Sequence, residues 1–365
     1  MDNEETLYWL AFSTVIGIGP KRFSLLRDYF SSAKKAWEAD ESKIIPLGLP
    51  APVLKEFLNQ RKTFNPEIFP AVLEKKAIKF ATTKDADYPK LLKEIPDPPF
   101  IIFWRGDIEV SKKPAIAVVG TRKMTPYGRE VTEILTRDLT GAGLIIVSGL
   151  ARGVDGIAHK TCLDNNGKTI AVLGAGVDIV YPPDHGWLYR EILEKGSLII
   201  SEVPPGKFVA KGIFPARNRI VSGLSLGVLV TEGAEDSGSL ITARLALEQG
   251  REVFAVPGPI TSALSAGPMK LLKEGAKLVN AASDILEELN LGTKSLMSSI
   301  LAEEIKGDDD HEERILTILR IHEAHFDEIV RETGFEAEIV GATVSIMEIK
   351  GKIKEMGNMI YRIKT

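Results

Sequence analysis

A chain of 365 residues, 44% hydrophobic and 26% charged, has the make-up of a globular protein of two or three domains. Its single cysteine, Cys162, excludes a disulfide framework or a thiolate metal site. The five histidines lack ligand spacing, no apolar run approaches the ~20 residues that cross a bilayer, and the acidic start MDNEETLYWL lacks the basic region of a signal peptide. The expectation is a cytoplasmic protein with no metal, no cofactor and no membrane contact. A net charge of −4 excludes binding nucleic acid through a global positive field, so any such contact must come from particular Lys and Arg side chains.

The segment 1–65 reads as helical. Apolar residues recur at helical spacing over Thr6–Val15, GIGP at 17–20 interrupts them, and the pattern restarts over Arg22–Phe30. Helix, Gly-x-Gly-Pro turn and helix form a helix-hairpin-helix layout, whose turn could offer backbone N–H groups to a phosphate or simply join two packed helices. The Pro-rich stretch 85–107 is a connector that ends in an apolar strand, Phe100–Trp104.

From about 115 to 280 the chain alternates. Apolar runs of four or five residues at 116–119, 144–148, 169–173, 197–201, 227–231 and 252–256 predict strands buried on both faces. Helical stretches at 126–140, 154–165, 187–195, 217–222, 239–249 and 268–274 separate them. The fold class is α/β, an extended Rossmann-like parallel sheet spanning 66–290, with right-handed crossovers. The polar, acidic segment 291–310 reads as a linker. Residues 311–365 read as a winged helix: helices over Arg314–Ile321, Phe326–Glu332 and Ala337–Met347, then a hairpin turned at Lys354–Asn358. Its third helix carries Glu336, Glu338 and Glu348 against Lys350, which suits a protein contact or dimer role better than phosphate.

In a doubly wound sheet, ligands bind beyond the carboxyl ends of the strands, where strand order reverses. Five glycine-bearing turns fall at such ends: VVGTRK, VSGLARGVDGIAH, LGAGVD, TEGAEDSGSLITAR and VPGP. Ser237, Gly238 and Ser239 open a helix there and can cradle a phosphate. Arg122, Lys123 and Arg152 follow the first two strands, and KGIFPARNR supplies Lys211, Phe214, Arg217 and Arg219. An aromatic side chain beside cations is the pairing that single-strand binding uses, charge for the backbone and a ring for a base. Phe214 could equally anchor a core, and Asn218 and Arg219 could have structural partners. Gly120 is not followed by Gly-x-x-Gly, no acidic residue ends the second strand, and no GxxxxGK[ST] occurs, so dinucleotide binding and Walker-type hydrolysis are not expected. Ser148, Asp155 and His159 lie close in sequence but lack a GxSxG elbow, and Asp155 is expected to hold its loop rather than to catalyse. The remaining alternative is a nucleotide-binding or nucleotide-processing protein akin to the lysine-decarboxylase-like phosphoribohydrolases. The strand end TEGAEDSGSLITAR lacks their PGGxGTxxE signature.

Taken together, YPKLLKEIPDPPFIIFWRGD, VVGTRKMTPYGRE, SGLARGVDGIAHKTCLDNNGKTIAVLGAGVDIVYPPDH, FPARNRIVSGLS and EDSGSLITARLALEQGREVFAVPGPI resemble the bacterial DNA-processing protein A family (DprA/Smf) over about residues 85–290. The resemblance implies a non-enzymatic, dimeric protein that binds single-stranded DNA, protects incoming DNA and helps load the RecA recombinase in natural transformation. It places the strand against Gly120, Thr121 and Arg122, then Ser148 and Gly149, then Lys211, Phe214, Arg217, Asn218 and Arg219. It also implies dimer contacts through LLKEGAKLV, with Leu272 and Leu278 as candidates. The chain departs from the family pattern at GPMKLL (267–272), where members read G-x-N-x-L-I, and at KGIF before the pocket.

Overall fold

Apolar side chains alternate between two buried faces along each central strand, and the computed structural model arranges these strands as one nine-stranded sheet. It describes residues 3–208, 213–291, 307–319 and 323–363. The strands are β1 (Lys79–Thr82), β2 (Ile101–Gly106), β3 (Ala115–Val119), β4 (Ile145–Ser148), β5 (Thr169–Val172), β6 (Leu198–Ser201), β7 (Gly227–Val230), β8 (Glu252–Ala255) and β9 (Lys277–Leu278), in the order β1-β2-β6-β5-β4-β3-β7-β8-β9. From β6 across to β9 every pairing is parallel, while β2 runs antiparallel to both β6 and β1. After β3 the chain builds outward to β6, then crosses back to β7 on the other side of β3. Strand order therefore reverses at β3, which puts a crevice at its carboxyl end.

Helices α1 (Asn3–Ser13), α2 (Pro20–Phe30), α3 (Ala33–Glu38), α4 (Glu41–Ile44), α5 (Ala51–Thr63) and α6 (Phe69–Lys75) precede the sheet. They close around Trp9, Phe12, Phe23, Trp37 and Phe57, with Phe12 and Trp37 edge-on at 5.2 Å. Phe23 stacks at 4.1 Å on Phe100, just ahead of β2, and the helices share one apolar core with Ile101, Phe103, Ala171 and Ile199 on that face of the sheet. Arg22 Nη1 donates to Gly17 O at 2.6 Å and so closes the hairpin turn on itself. The other face is covered by α7 (Lys90–Lys93) and by the helices Ile213–Gly223, Gly238–Glu248 and Ala266–Lys273, over Ile102, Ala117, Val119, Val147, Val172, Val228 and Val230.

The remaining helices of this unit are α8 (Pro126–Gly141), α9 (Val154–Asp164), α10 (Gly186–Glu194), α11 (Ile213–Gly223), α12 (Gly238–Glu248), α13 (Ala266–Lys273) and α14 (Ala282–Glu288). The largest boundary difference from the sequence reading in this unit is at α11. The helix expected from Arg217 begins at Ile213, because Pro215 falls in its first turn, where a missing N–H costs no helical hydrogen bond. Two strands were not anticipated, β1 and β9. β9 has two residues, both exposed, and β1 has four, of which the first is exposed, so neither shows a buried apolar run.

The unit from Asn290 onward contains α15 (Asp310–Leu319), α16 (Phe326–Thr333) and α17 (Ala337–Ile349), with β10 (Ala324–His325), β11 (Ile353–Glu355) and β12 (Ile360–Ile363) in the order β10-β12-β11. Ile315, Leu316, Ile329, Val340, Val344 and Met347 form its core. The expected three helices and hairpin are all present. Glu312 is almost wholly buried here, and Lys350 and Lys352 each lie 2.6 Å from its carboxylate. Burial pushes the Glu312 carboxyl up, but the two ammonium groups outweigh it and hold the carboxyl at about 2. Its folded pKa is thus below its unfolded value, so this stabilisation is complete above about pH 5 and is lost as pH falls toward 2. Protection from hydrogen exchange over residues 310–363, taken relative to the intrinsic rate at each pH, should therefore fall between pH 5 and pH 3 in the native chain. Glu312→Gln should exchange faster already at pH 7 and change less on acidification.

Candidate nucleic-acid interface

At the carboxyl end of β3 the chain turns through Gly120, Thr121 and Arg122. Thr121 N donates to Glu232 O at 2.7 Å, which ties this turn to the end of β7. Glu232 is buried, and its carboxylate accepts Thr125 N at 2.8 Å and Thr125 Oγ1 at 2.6 Å. Thr125 in turn caps α8 by accepting from Gly128 N. A single acidic residue after β7 thus fixes the loop that carries Arg122. The sequence reading did not single out Glu232, although an acidic residue directly after a buried strand is a visible signal.

The turn after β4 is held from below. Ser148 is fully buried, and its hydroxyl donates to Val118 O at 2.7 Å. Asp155 accepts from Gly149 N at 3.1 Å and Ala151 N at 3.3 Å, the loop-holding role expected of it. Arg217 enters beneath Gly149 and donates through Nη1 to Gly149 O at 2.7 Å and Val172 O at 2.8 Å. A Cβ at 149 would stand 1.7 Å from that guanidinium nitrogen, so any other residue there would displace the Arg217 head group. Burial pushes the Asp155 carboxyl up, and the Arg217 charge opposes that shift. Burial likewise lowers the Arg217 pKa, opposed by Asp155. The pair forms a charged floor under the crevice.

The third wall is α12. Ser237 caps it, accepting from Ser239 N, and the two hydroxyls lie 2.8 Å apart. Gly238 is the first helical residue and is exposed, with open space where a Cβ would stand. Asn218 crosses from α11 and donates to Gly238 O at 3.3 Å, while its own Oδ1 accepts from Arg217 Nε. These groups enclose a cavity of about 340 Å³ whose walls include Gly120, Thr121, Arg122, Gly149, Asn218 and the Ser237–Ser239 turn. Asp236 stands at its edge, an acidic residue that the sequence reading passed over. A second hollow adjoins it through Arg122 and Gly149 and is walled by Leu173, Tyr181 and Pro182, with Arg152 at the rim. Arg152 is exposed and lies against Asp184 at 2.7 Å.

Of the sequence candidates, Gly120, Thr121, Arg122, Gly149, Arg217, Asn218, Ser237, Gly238 and Ser239 converge on this one cavity, and Arg152 borders its neighbour. Ser148 lies below the surface. Arg219, on the opposite flank of α11, ion-pairs with Asp97 at 3.0 Å and Glu202 at 2.6 Å beside a separate groove of about 840 Å³ lined by the 13–20 hairpin. Lys211 lies outside the described residues, and Phe214 is described only as backbone in the first turn of α11. Leu272 is half-buried against the sheet's core, whereas Leu278 is exposed on the edge strand β9. His159 is buried, its Nδ1 2.6 Å from Thr169 Oγ1, and burial pushes its pKa down to about 3. Because Thr169 donates to Ile146 O at 2.5 Å, the imidazole is the donor to that hydroxyl. Among the described residues no group of His, Cys, Asp and Glu side chains could hold a metal ion, and no helix is long and apolar enough to cross a membrane.

Residues 79–290, which contain this whole crevice, match the family described as DNA recombination-mediator protein A, and residues 301–358 match the DprA winged helix domain. The chain belongs to the DNA recombination-mediator protein A family. It is 42% identical over 269 residues to the DNA processing protein DprA of Bacillus subtilis, covering 70% of this chain and 89% of that one. Protein Smf of a Synechocystis strain is 39% identical over 294 residues, covering 79% and 74%. Among solved structures, DprA from Streptococcus pneumoniae superposes with a TM-score of 0.65 at 37% identity, over 78% of this chain and 98% of that one. DNA processing protein A from Helicobacter pylori, a structure described for its single-stranded DNA binding mode, gives a TM-score of 0.51 at 32% identity over 58% and 96%. The match to the family spans the sheet from β1 to β9 and includes the crevice at the end of β3.

Proposed function

We propose that this family member binds single-stranded DNA through the crevice at the end of β3 and acts without catalysis, as a cytoplasmic homodimer. On this reading it protects incoming DNA and helps load RecA during natural transformation. The observation that carries the reading is the convergence of the exposed N-terminus of α12, Asn218 and Arg122 on one cavity. Helix N-terminal amides and a guanidinium suit the phosphates of a strand, and the adjoining hollow, about 50 Å³ and walled by Leu173, Tyr181 and Pro182, offers an apolar ledge for the edge of a base. The Helicobacter relative's single-stranded DNA binding mode supports the same ligand here. Support for a binding rather than a hydrolytic role comes from Ser148, Asp155 and His159. The hydroxyl donates to Val118 O, the carboxylate holds a loop, and the imidazole is buried on Thr169. Exposed Leu278 on β9 supports an edge contact between two copies, with Leu272 packing behind it.

Fluorescence anisotropy with labelled oligo-dT and with duplex DNA, across a salt series, tests this. Oligo-dT should bind more tightly than duplex, and its affinity should fall with salt. Replacing Arg122 and Lys211 together by Ala should weaken oligo-dT binding at least ~10-fold and flatten the log–log salt slope by about 1.4, for two lost phosphate contacts at ~0.7 each. Unchanged affinity in that double variant would sink the crevice assignment.

A further inference from the structure

Helix α17 is apolar on two sides. Val340, Thr343, Val344 and Met347 face inward and complete the winged-helix core. A second set, Ile339, Ala342, Ile346 and Ile349, follows the spacing three, four, three along the outer side, which is the a/d seam of a helix that pairs with another helix. These positions are exposed: Ile339 at 41%, Ile346 at 48% and Ile349 at 87%. The wing turn lies close to the end of this helix. Glu355 N donates to Glu348 Oε1 at 3.2 Å, which draws the β11–β12 turn to the last turn of α17, and that turn carries exposed Met356 and Met359. Single exposed apolar residues are ordinary, but four at heptad spacing, with two exposed methionines on the nearby wing turn, are of the kind that marks a contact surface.

The charge around the seam decides what it fits. Glu336, Glu338, Glu348 and Glu355 border it and are exposed. Lys350, the cation on the helix's last turn, bridges to Asp308 and Glu312 at 2.6 Å each, so its charge is already balanced. Lys354 is the exposed cation of the wing. Phosphate backbones would be repelled from such a face, and a second copy in antiparallel register would set Glu338 against Lys350, whose charge Asp308 and Glu312 already balance. We propose that the outer face of α17, with the wing tip, docks a basic amphipathic helix of a partner protein, apolar at its a and d positions and flanked by Lys or Arg. This site is independent of the DNA crevice.

The test uses the full chain and three labelled three-heptad peptides: Leu at a and d with Lys at e and g, the same seam with Glu at e and g, and the Lys-flanked peptide with Ser at a and d. Anisotropy should show binding of the first alone. Ile346→Glu with Ile349→Glu should weaken it at least ~10-fold, as expected for loss of central apolar contacts. Both side chains are exposed, and an unchanged melting temperature confirms folding. Glu338→Lys with Glu348→Lys should reverse the preference toward the Glu-flanked peptide. Equal binding of both charge types, no effect of the isoleucine changes, or a preference that survives charge reversal each overturns the proposal. So does a fall in duplex-DNA affinity in the isoleucine variant, which would make the face a nucleic-acid contact. A drop in that variant's oligomeric state by sedimentation would make the occupant a second copy, and overturns the proposal as well. Oligo-dT binding should be unaffected throughout.

Discussion

Arg217→Met should destabilise the sheet-bearing unit by about 3–5 kcal/mol, since it leaves two buried carbonyls without their donor and removes the charge that offsets the burial of Asp155. Arg217 is only 6% exposed. Methionine keeps much of the side chain's volume but removes the donors to Gly149 O and Val172 O and the charge that faces Asp155. Asp155 would then be a buried carboxylate with backbone donors alone, and its pKa would rise further above the unfolded value. The sign follows: a carboxyl raised on folding destabilises increasingly as pH climbs past its unfolded pKa. The variant's deficit should therefore be larger at pH 7 than at pH 5. Adding Asp155→Asn should recover part of it, because the unpaired charge is gone while a side-chain oxygen remains for the amides of Gly149 and Ala151. Urea unfolding of the three variants at both pH values measures this. A loss under ~1 kcal/mol for Arg217→Met at pH 7 would show that the guanidinium is not the support of the crevice floor.

The same residue shows what the sequence conveys and what it does not. Strands β3 to β8 are legible because each is a run of four or five apolar residues that the sheet buries on both faces. The edge strands β1 and β9 carry no such run, and pairing alone defines them. The crevice was legible as a set of glycine turns, since a doubly wound sheet gathers its strand ends at one place. The duties of the individual cations were not. Arg217 and Arg219 stand two apart on α11, about 200° around the helix, so one runs under Gly149 and the other turns away to Asp97 and Glu202. Those acids come from 122 and 17 residues away in the chain, and Asp184, which meets Arg152, from 32. Local spacing carries no record of such partners. Ser148 reads as a reachable hydroxyl from its place beside Gly149, yet both faces of β4 are covered and its hydroxyl is spent on Val118 O.

Gly238→Glu should abolish most single-stranded DNA binding while leaving the fold intact, a combination that separates the crevice from its supports. The position is exposed, its backbone lies outside the left-handed region, and nothing stands within 4 Å of an added Cβ. It is the first residue of α12 after the Ser237 cap, where a carboxylate interacts favourably with the helix dipole, so the melting temperature should hold or rise slightly. The same carboxylate would sit at the amides that face a phosphate in the proposed complex and would add to Asp236 at the cavity's edge. Losing that anion site and gaining a repulsion should cost at least ~2 kcal/mol, or about 30-fold in affinity for oligo-dT. The opposite change at the edge, Asp236→Asn, should strengthen binding a few-fold at low salt and less at high salt. Arg122→Ala and Gly238→Glu should also be non-additive, because both act on the same stretch of backbone. If Gly238→Glu binds oligo-dT as tightly as the native chain while remaining folded, the strand does not pass the N-terminus of α12, and the Ser237–Ser239 turn serves only to cap its helix.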